Sequence, residues 1–230
     1  MPSQPMVLQA ADVRLALGAR LVLDGVTLAL AEYETAAVQG ASGSGKTTLM
    51  RVLAGIQAPD SGFVRFDGRE ITGLPDEDLS RLRLRSFGFV FQFADLVPEL
   101  TLRENIALPL EFLGVRRDQR RRRVDALVDM MAIQECADLL PHVVSGGERQ
   151  RAAVARAVVH YPKVLFADEP TGSLDTRARD AVLSLLMGVV RETGCALLLV
   201  THDPFVASRC GQTLNLVDGQ FRAARSLDDA

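Results

Sequence analysis

The sequence lacks any apolar run long enough to cross a membrane as a helix. Such a helix needs about 18 consecutive apolar residues, whereas the densest run here, Cys195–Val200, has the length of a strand. The N-terminal residues MPSQPMVLQ lack a basic segment followed by an apolar core, so we expect no signal peptide. If the protein works at a membrane, we expect another chain to supply the spanning part.

Cysteine is also scarce. Cys136, Cys195 and Cys210 show neither C-x-x-C spacing nor an even-numbered disulfide framework. We interpret them as reduced thiols of a cytosolic protein and not as metal ligands.

No charge of one sign is in large excess. The formal net charge is −3, which argues against nucleic acid as a partner. One basic run, residues 116–123, is an exception. Contact with anionic lipid or an acidic partner is one interpretation of it. A solvated helix face is favoured, because arginine is a good helix former.

Apolar patterns divide the chain into β-like and helical stretches. Partly alternating runs near the start predict strands, and Asp67-Gly68 and Asp218-Gly219 predict hairpin turns. Between about residues 101 and 141, apolar residues recur at helical spacing and no strand is predicted. Later, two nearly continuous apolar runs flank a helix predicted from about Thr176 to Thr193. This alternation is typical of buried parallel strands, so we predict an α/β fold with a mostly parallel sheet.

A glycine-rich segment follows one predicted strand and precedes a helix. It fits the pattern G-x-x-x-x-G-K-[ST], whose backbone amides and helix N-terminus bind phosphate groups. Lys46 is expected to reach the β- and γ-phosphates, and the Thr47 hydroxyl to bind Mg²⁺. A chance lysine in a glycine-rich turn is the alternative, which the correct flanks disfavour. The predicted nucleotide contacts are Gly40, Ala41, Ser42, Gly43, Ser44, Gly45, Lys46, Thr47 and Thr48.

Polar residues end three other apolar strands. Asp168 and Glu169 end one, and Asp168 is predicted to hold Mg²⁺ either directly or through one of its bound ligands. Because side chains alternate along a strand, we expect Glu169 to point the other way and to accept a proton from attacking water. His202 and Gln92 end the other two strands. Each could be structural alone, but together they suggest contacts with γ-phosphate and with Mg²⁺ or water.

A predicted helix begins at Ser145-Gly146-Gly147-Glu148. Glycine destabilises a helix by about 1 kcal/mol relative to alanine, so two adjacent glycines are a costly beginning. A glycine-containing cap is one interpretation, and a second anion site at the helix N-terminus is the other.

Together, and in this order, these elements resemble the nucleotide-binding domain of ATP-binding cassette (ABC) proteins, from about Val7 to Arg222. Val144 stands where the family usually has leucine. The matches are Gly40–Thr48 with the Walker A loop, Gln92 with the Q-loop, Ser145–Glu148 with the signature, Asp168 with Walker B, Glu169 with the catalytic glutamate, Ser173–Asp175 with the D-loop, and His202 with the H-loop.

The resemblance implies a P-loop fold with an antiparallel β subdomain and a helical subdomain. One domain would cover residues 1–230, with an ATP-binding core at about 7–100 and 142–222 and a helical subdomain at about 101–141. Its cofactors would be ATP and Mg²⁺. The implied roles are catalysis by Glu169, His202 and Lys46, metal binding by Thr47, Gln92 and Asp168, and ATP contacts in a second copy from Ser145, Gly146, Gly147, Glu148 and Asp175.

The runs FGFVFQFADLVPELTLRENIALPLEFLG and LFADEPTGSLDT are most similar to the MacB/LolD/FtsE group. This implies an ATPase subunit on the cytoplasmic side of the membrane. A separate transmembrane permease would dock near Phe93–Leu113, for export or mechanotransmission, without nucleic acid.

The sequence departs from the family in one place. ABC proteins usually stack an aromatic residue on adenine, but no aromatic lies between Met1 and Tyr33, and Leu17 or Leu15 takes that position. We therefore expect weaker adenine binding, or less selectivity over guanine.

Two other functions fit less well. A soluble ABC ATPase of DNA repair would carry long coiled coils between Walker A and signature, and one of translation would carry two cassettes. A P-loop nucleotide kinase would need neither the signature Ser145-Gly146-Gly147 nor Glu169 as a base.

Overall fold

The computed structural model describes residues 6–222. These residues form two compact units, one of residues 6–79 with 196–222 and one of residues 80–195. No helix within residues 6–222 is long and apolar enough to span a bilayer. In chain order the elements are β1 (Met6–Leu17), β2 (Arg20–Ala31), β3 (Thr35–Gln39), α1 (Lys46–Leu53), β4 (Ser61–Phe66), β5 (Arg69–Glu70), α2 (Asp76–Ser86), β6 (Phe87–Phe91), α3 (Leu102–Phe112), α4 (Arg117–Met130), α5 (Gly146–Val158), β7 (Val164–Asp168), α6 (Thr176–Thr193), β8 (Ala196–Thr201), α7 (Pro204–Ala207), β9 (Gln212–Val217) and β10 (Gln220–Arg222), with short 3₁₀ helices at Gln134–Cys136 and Pro141–Val143.

The first unit contains two groups of strands. One is an antiparallel sheet in the order β2-β1-β4-β5, and the β4–β5 hairpin confirms the turn predicted at Asp67-Gly68. In the other group, β3 pairs in parallel with both β8 and β9, and β10 returns antiparallel to β9 after the predicted Asp218-Gly219 turn. All residues of β8 are buried, as its continuous apolar sequence predicts.

The second unit is built around the parallel pair β6 and β7. The rings of Phe87 and Phe89 lie against Phe166 at centroid distances of 5.3 and 5.4 Å. Helix α5 packs closely on β6, since a Cβ on Gly88 would lie 2.1 Å from the Ala157 carbonyl oxygen. This close approach holds α5 against β6, the strand that ends just before Gln92.

Residues 101–141 contain α3, α4 and short 3₁₀ turns but no strand, which confirms the predicted helical pattern. Helix α3 begins with a capping box, in which Thr101 Oγ1 accepts from the Glu104 amide and the Glu104 carboxylate accepts from the Thr101 amide. That these residues form a separate subdomain stays a prediction.

The basic run forms the N-terminal part of α4. Arg121 and Arg122 are highly exposed and pair with Asp125 and Asp118 at the i,i+4 spacing. Such exposed pairs contribute little to stability, and the arrangement agrees with the solvated helix face that the sequence favours.

Asn105 on α3 is buried and holds the segment before the helix. Its Oδ1 accepts a hydrogen bond of 2.7 Å from the Val97 amide. Its Nδ2 lies 3.0 Å from the carbonyl oxygens of Val97, Leu100 and Thr101. One side chain therefore organises residues 97–101, the segment that enters α3.

We expect Asn105→Ala to lower the free energy of unfolding by about 2 to 3 kcal/mol, because it leaves buried backbone groups without partners. Urea denaturation measures the change, with Gln119→Ala, on the exposed face of α4, as the control. Equal midpoints for the two variants would contradict this role of Asn105.

Candidate functional site

The phosphate loop follows β3 and leads into α1. Lys46 is the first residue of α1 and is buried, and its Nζ donates to the carbonyl oxygens of Gly40 and Ala41, each at 2.8 Å. Gly45 has a φ of 102°, and a Cβ there would lie 2.8 Å from the Val22 carbonyl oxygen. Only glycine fits at Gly45, so the loop's shape depends on the residue type that the motif specifies.

The loop suits a chain of phosphate groups. Ser44 Oγ is buried and has no hydrogen-bond partner within residues 6–222. The loop also offers the Lys46 ammonium group and the first amides of α1, which have no partner inside the helix. Ala41, Ser42 and Gly43 are exposed at its tip, as is Thr47, while Thr48 is half-buried.

His202 lies at the same strand ends as the phosphate loop. Gln39 and Thr201 are paired and are the last residues of the adjacent parallel strands β3 and β8. Gly40 and His202 are the residues that follow them. The His202 side chain is exposed. The first unit therefore brings His202 to the edge of its sheet where the loop begins.

The second unit brings Gln92 and Asp168 together. Phe91 pairs with Asp168 at the ends of β6 and β7, and Gln92 follows Phe91 directly. Asp168 and Gln92 are both half-buried. Their oxygens are the hard ligands that Mg²⁺ prefers, and the Thr47 hydroxyl of the first unit has the same chemistry.

The orientation argument for Glu169 is wrong. Strand β7 ends at Asp168, and Glu169 has a φ of 46°, in the left-handed region. Strand alternation therefore does not apply to Glu169. Its carbonyl oxygen instead accepts from the Gly172 amide at 3.0 Å, so a turn sets the direction of this carboxylate.

The D-loop contacts the Q-loop. Ser173 Oγ donates to the Gln92 carbonyl oxygen at 2.9 Å, and a Cβ on Gly172 would lie 3.0 Å from Gln92 Nε2. Asp175 caps α6, since its carboxylate accepts from the Ala178 amide at 2.9 Å. The segment between β7 and α6 is thus fixed at both ends.

The signature forms a capping box at the start of α5. The Glu148 carboxylate accepts from the Ser145 amide at 2.8 Å and from Ser145 Oγ at 2.6 Å. These hydrogen bonds, the hydroxyl's first, lower the pKa of Glu148. Their contribution to stability is present above the ordinary pKa of a glutamate and is lost as the pH falls through the lowered value.

Gly146 and Gly147 are not required by the packing of their own chain. Neither has a positive φ. A Cβ on Gly146 would lie 3.7 Å from Leu174, and one on Gly147 would lie 3.4 Å from Ala178, which are ordinary contact distances. Both positions could carry alanine, which would favour the helix. Packing within residues 6–222 therefore does not explain the choice of glycine at these two positions.

The signature and the D-loop line one cleft. Both segments line one open cavity of about 840 Å³ in the second unit, through Ser145, Gly146 and Gly147 and through Ser173, Leu174 and Asp175. Arg151 and Arg177 also line the cavity, and their two positive charges exceed the one negative charge of Asp175. An anion can therefore approach the first amides of α5.

Several contacts of the site were not predicted. Cys136 lies beside Glu148, and burial first, then the Glu148 carboxylate, raises the pKa of its thiol. The Arg20 guanidinium donates to the Gly43 carbonyl oxygen at 2.8 Å. Gln150 and Arg156 of α5 donate to the backbone around Gln92. The sequence could have drawn attention to Arg156, since it is the one charged residue in the otherwise apolar run Ala152–Val159.

Burial separates the two candidates for the adenine-stacking position. Leu15 is 4% exposed and belongs to the core, whereas Leu17 is 50% exposed. Leu17 pairs with Arg20, whose side chain reaches the phosphate loop. Leu17 is therefore the residue available to a base.

A phosphate loop follows the end of a parallel strand, and polar residues lie at the ends of other parallel strands. These features define a P-loop nucleoside triphosphatase. Residues 23–172 match the family model of the ABC transporter. The lipoprotein-releasing system ATP-binding protein LolD of Geobacter metallireducens is 44% identical over 202 residues, 88% of this chain and 90% of that protein. The bacitracin export ATP-binding protein BceA of Halalkalibacterium halodurans is 36% identical over 219 residues, 94% of this chain and 87% of that protein.

A solved structure gives the same result. The dimeric structure of an ATP-binding cassette in a post-hydrolysis state, bound to ADP and Pi, aligns with a TM-score of 0.86 and 32% identity, covering 97% of this chain and 100% of that chain. This chain belongs to the ABC transporter family. It is an ATP-binding subunit of the MacB/LolD group, and its reaction is ATP hydrolysis.

We expect Leu17→Tyr to tighten ATP binding about fivefold, because an aromatic ring would stack on the base. Isothermal titration with ATP and with GTP measures the affinity and the selectivity. Leu21→Tyr is the matched control, since Leu21 is 52% exposed and pairs with Ala16 rather than with Leu17. An ATP affinity that stays the same or falls in Leu17→Tyr would contradict the assignment.

Proposed function

We propose that this chain drives an exporter-type transporter as a nucleotide-sandwich homodimer attached to a separate membrane permease. The observation that carries the proposal is the start of α5, where Gly146 and Gly147 face an open cleft without being required by the chain itself. The cassette structure that this chain resembles is dimeric and holds ADP and Pi. Export is favoured because a similar protein is named for bacitracin export and another for lipoprotein release.

The presence of two anion sites on the chain supports the proposed dimer. One is the phosphate loop of the first unit, and the other is the N-terminus of α5 in the second. Two copies related by a two-fold axis can place each phosphate loop against the signature of the other copy, which gives two equivalent sites. In this arrangement the amides of Gly146 and Gly147 approach the γ-phosphate.

Ser145 has a more complex role than a simple phosphate ligand. Its hydroxyl already donates to Glu148. To donate to phosphate, the hydroxyl must rotate away from that carboxylate, while the Ser145 amide can keep its own bond to Glu148. We infer that Glu148 holds Ser145 in place until nucleotide competes for the hydroxyl.

We assign the chemical roles as follows. Glu169 accepts a proton from the water that attacks the γ-phosphate. Lys46 and His202 stabilise the negative charge that develops on the transferred phosphoryl group. Thr47, Gln92 and Asp168 have the oxygen ligands for Mg²⁺, which, when bound, supplies charge neutralisation on the phosphates.

The surface near Phe93–Leu113 suits a protein partner. Phe93 is 74% exposed and Phe112 is 72% exposed, and burial of such large apolar rings against a partner would be favourable. We propose that the permease docks here and that the chain lies on the cytoplasmic face of the membrane. DNA repair and translation are not supported by the comparisons.

We expect Glu169→Gln to lower the ATPase rate at least about a hundredfold, because it removes the general base. It should keep ATP binding and accumulate an ATP-bound dimer, seen by light scattering after size exclusion. Glu192→Gln, on an exposed part of α6, is the control and should behave as the wild type. Hydrolysis at the parental rate would remove Glu169 from this role.

We expect Ser145→Arg to abolish ATP-driven dimerisation, because a bulky side chain fills the approach to α5. ATP binding by the monomer should stay unchanged, since the phosphate loop lies in the other unit. Sedimentation and ATP titration separate these effects, with Ser208→Arg as an exposed control. A Ser145→Arg protein that still dimerises with ATP would refute the proposed dimer.

A further inference from the structure

The backbone after Gln92 has an unfavourable conformation. Ala94 has a φ of 64° and Asp95 a φ of 45°, and neither is glycine. Two consecutive left-handed residues with Cβ atoms are uncommon, and they persist only where surrounding contacts fix them. We call residues 91–95 the Q-loop segment. Side chains of α5 and of the D-loop supply the contacts that fix this segment.

Arg156 holds the two strained residues. Its Nη1 donates to the Asp95 carbonyl oxygen at 2.7 Å, and its Nη2 donates to the Ala94 carbonyl oxygen at 2.9 Å. The planar guanidinium group fits two such acceptors with one rigid fork. Burial lowers the pKa of Arg156, and the Asp95 carboxylate opposes that shift. An arginine guanidinium group stays protonated in proteins, so all of its nitrogens remain donors.

Two further side chains hold the other half of the segment. Gln150 is buried, and its Nε2 donates to the Phe91 carbonyl oxygen at 2.8 Å. Ser173 of the D-loop donates to the Gln92 carbonyl oxygen at 2.9 Å. The carbonyl groups of Phe91, Gln92, Ala94 and Asp95 thus all accept from side chains.

We propose that Gln150 and Arg156 are positioning residues that fix the Q-loop segment to α5. They hold the backbone on both sides of Gln92. The same helix begins at the signature, so these hydrogen bonds connect the backbone on both sides of Phe93 to the helix whose first amides we propose for phosphate binding. The functional consequence rests on the proposed roles of Gln92 and Phe93, whereas the attachment itself does not.

A packing role alone does not account for Arg156. Its neighbours on α5 are small and apolar, and Ala152, Ala153, Val154, Ala155, Ala157 and Val158 are all buried. An apolar residue would fill this position without the cost of removing a charge from water. The arginine is explained by the two carbonyl groups that it joins.

Hydrogen exchange of the nucleotide-free protein tests the attachment directly. The Ala94 amide donates to the Phe91 carbonyl oxygen at 3.2 Å, so its exchange reports opening of the segment. Arg156→Met removes both donors but keeps the length of the side chain, and we expect Ala94 to exchange about tenfold faster. Arg156→Lys, which keeps the charge but not the fork, should lie between. Arg120→Met, which removes a half-buried arginine paired with Glu111, should not change Ala94.

The Mg²⁺ dependence of ATP hydrolysis tests the effect on Gln92. We expect Arg156→Met to raise the Mg²⁺ concentration for half-maximal rate about fivefold and to lower kcat, with the KM for ATP changed less than about twofold. In a Gln92→Ala background the same change should have little further effect, since Arg156 acts through Gln92.

Unchanged exchange at Ala94 in both Arg156 variants would overturn the attachment. The positioning role would be overturned if the effects of Arg156→Met and Gln92→Ala on the Mg²⁺ dependence and on kcat were additive in the double variant. If Arg156→Met does not fold, Arg156→Lys and Gln150→Met decide both questions. The exchange measurement needs neither dimer nor permease, so its failure is distinguishable from failure of the proposed function.

Discussion

Parallel strand pairing is the constraint on which the rest of this structure depends. It brings the carboxyl ends of neighbouring strands to one edge, and the side chains predicted for the site follow those ends directly. In the first unit, Gln39 pairs with Thr201, which places the phosphate loop beside His202. In the second, Phe91 pairs with Asp168, which places Gln92 beside the carboxylate. A shift of either register by one residue would separate these groups, although each strand would stay buried.

Helix α5 then joins features that are far apart in the sequence. Its first turn carries the signature, its buried middle carries Gln150, and Arg156 lies near its end. Because Gly88 has no Cβ, the helix can lie directly on β6. This packing brings these donors within reach of the Q-loop segment. The helix therefore packs against β6 and also carries the signature and the two donors that hold the Q-loop segment.

Local sequence predicted most of the fold and the positions of the motifs. Helix α6 and the two hairpins lie where caps, turns and apolar spacing predict them, because these signals act over a few residues. The orientation of Glu169 could not be predicted, since a left-handed turn replaces the end of the strand. The roles of Gln150 and Arg156 depend on contacts with residues 59 to 62 positions away. Likewise, only burial in the folded protein separates Leu15 from Leu17.

The exposed ring of Phe93 belongs to a backbone that side chains hold on both sides. A flexible loop would lose conformational entropy when a partner ordered it, and that loss would weaken association. Here most of the ordering is complete before any partner arrives. A permease that docks here, as we propose, would therefore have to fit this surface as it stands, because the backbone of residues 91–95 is already held in one conformation.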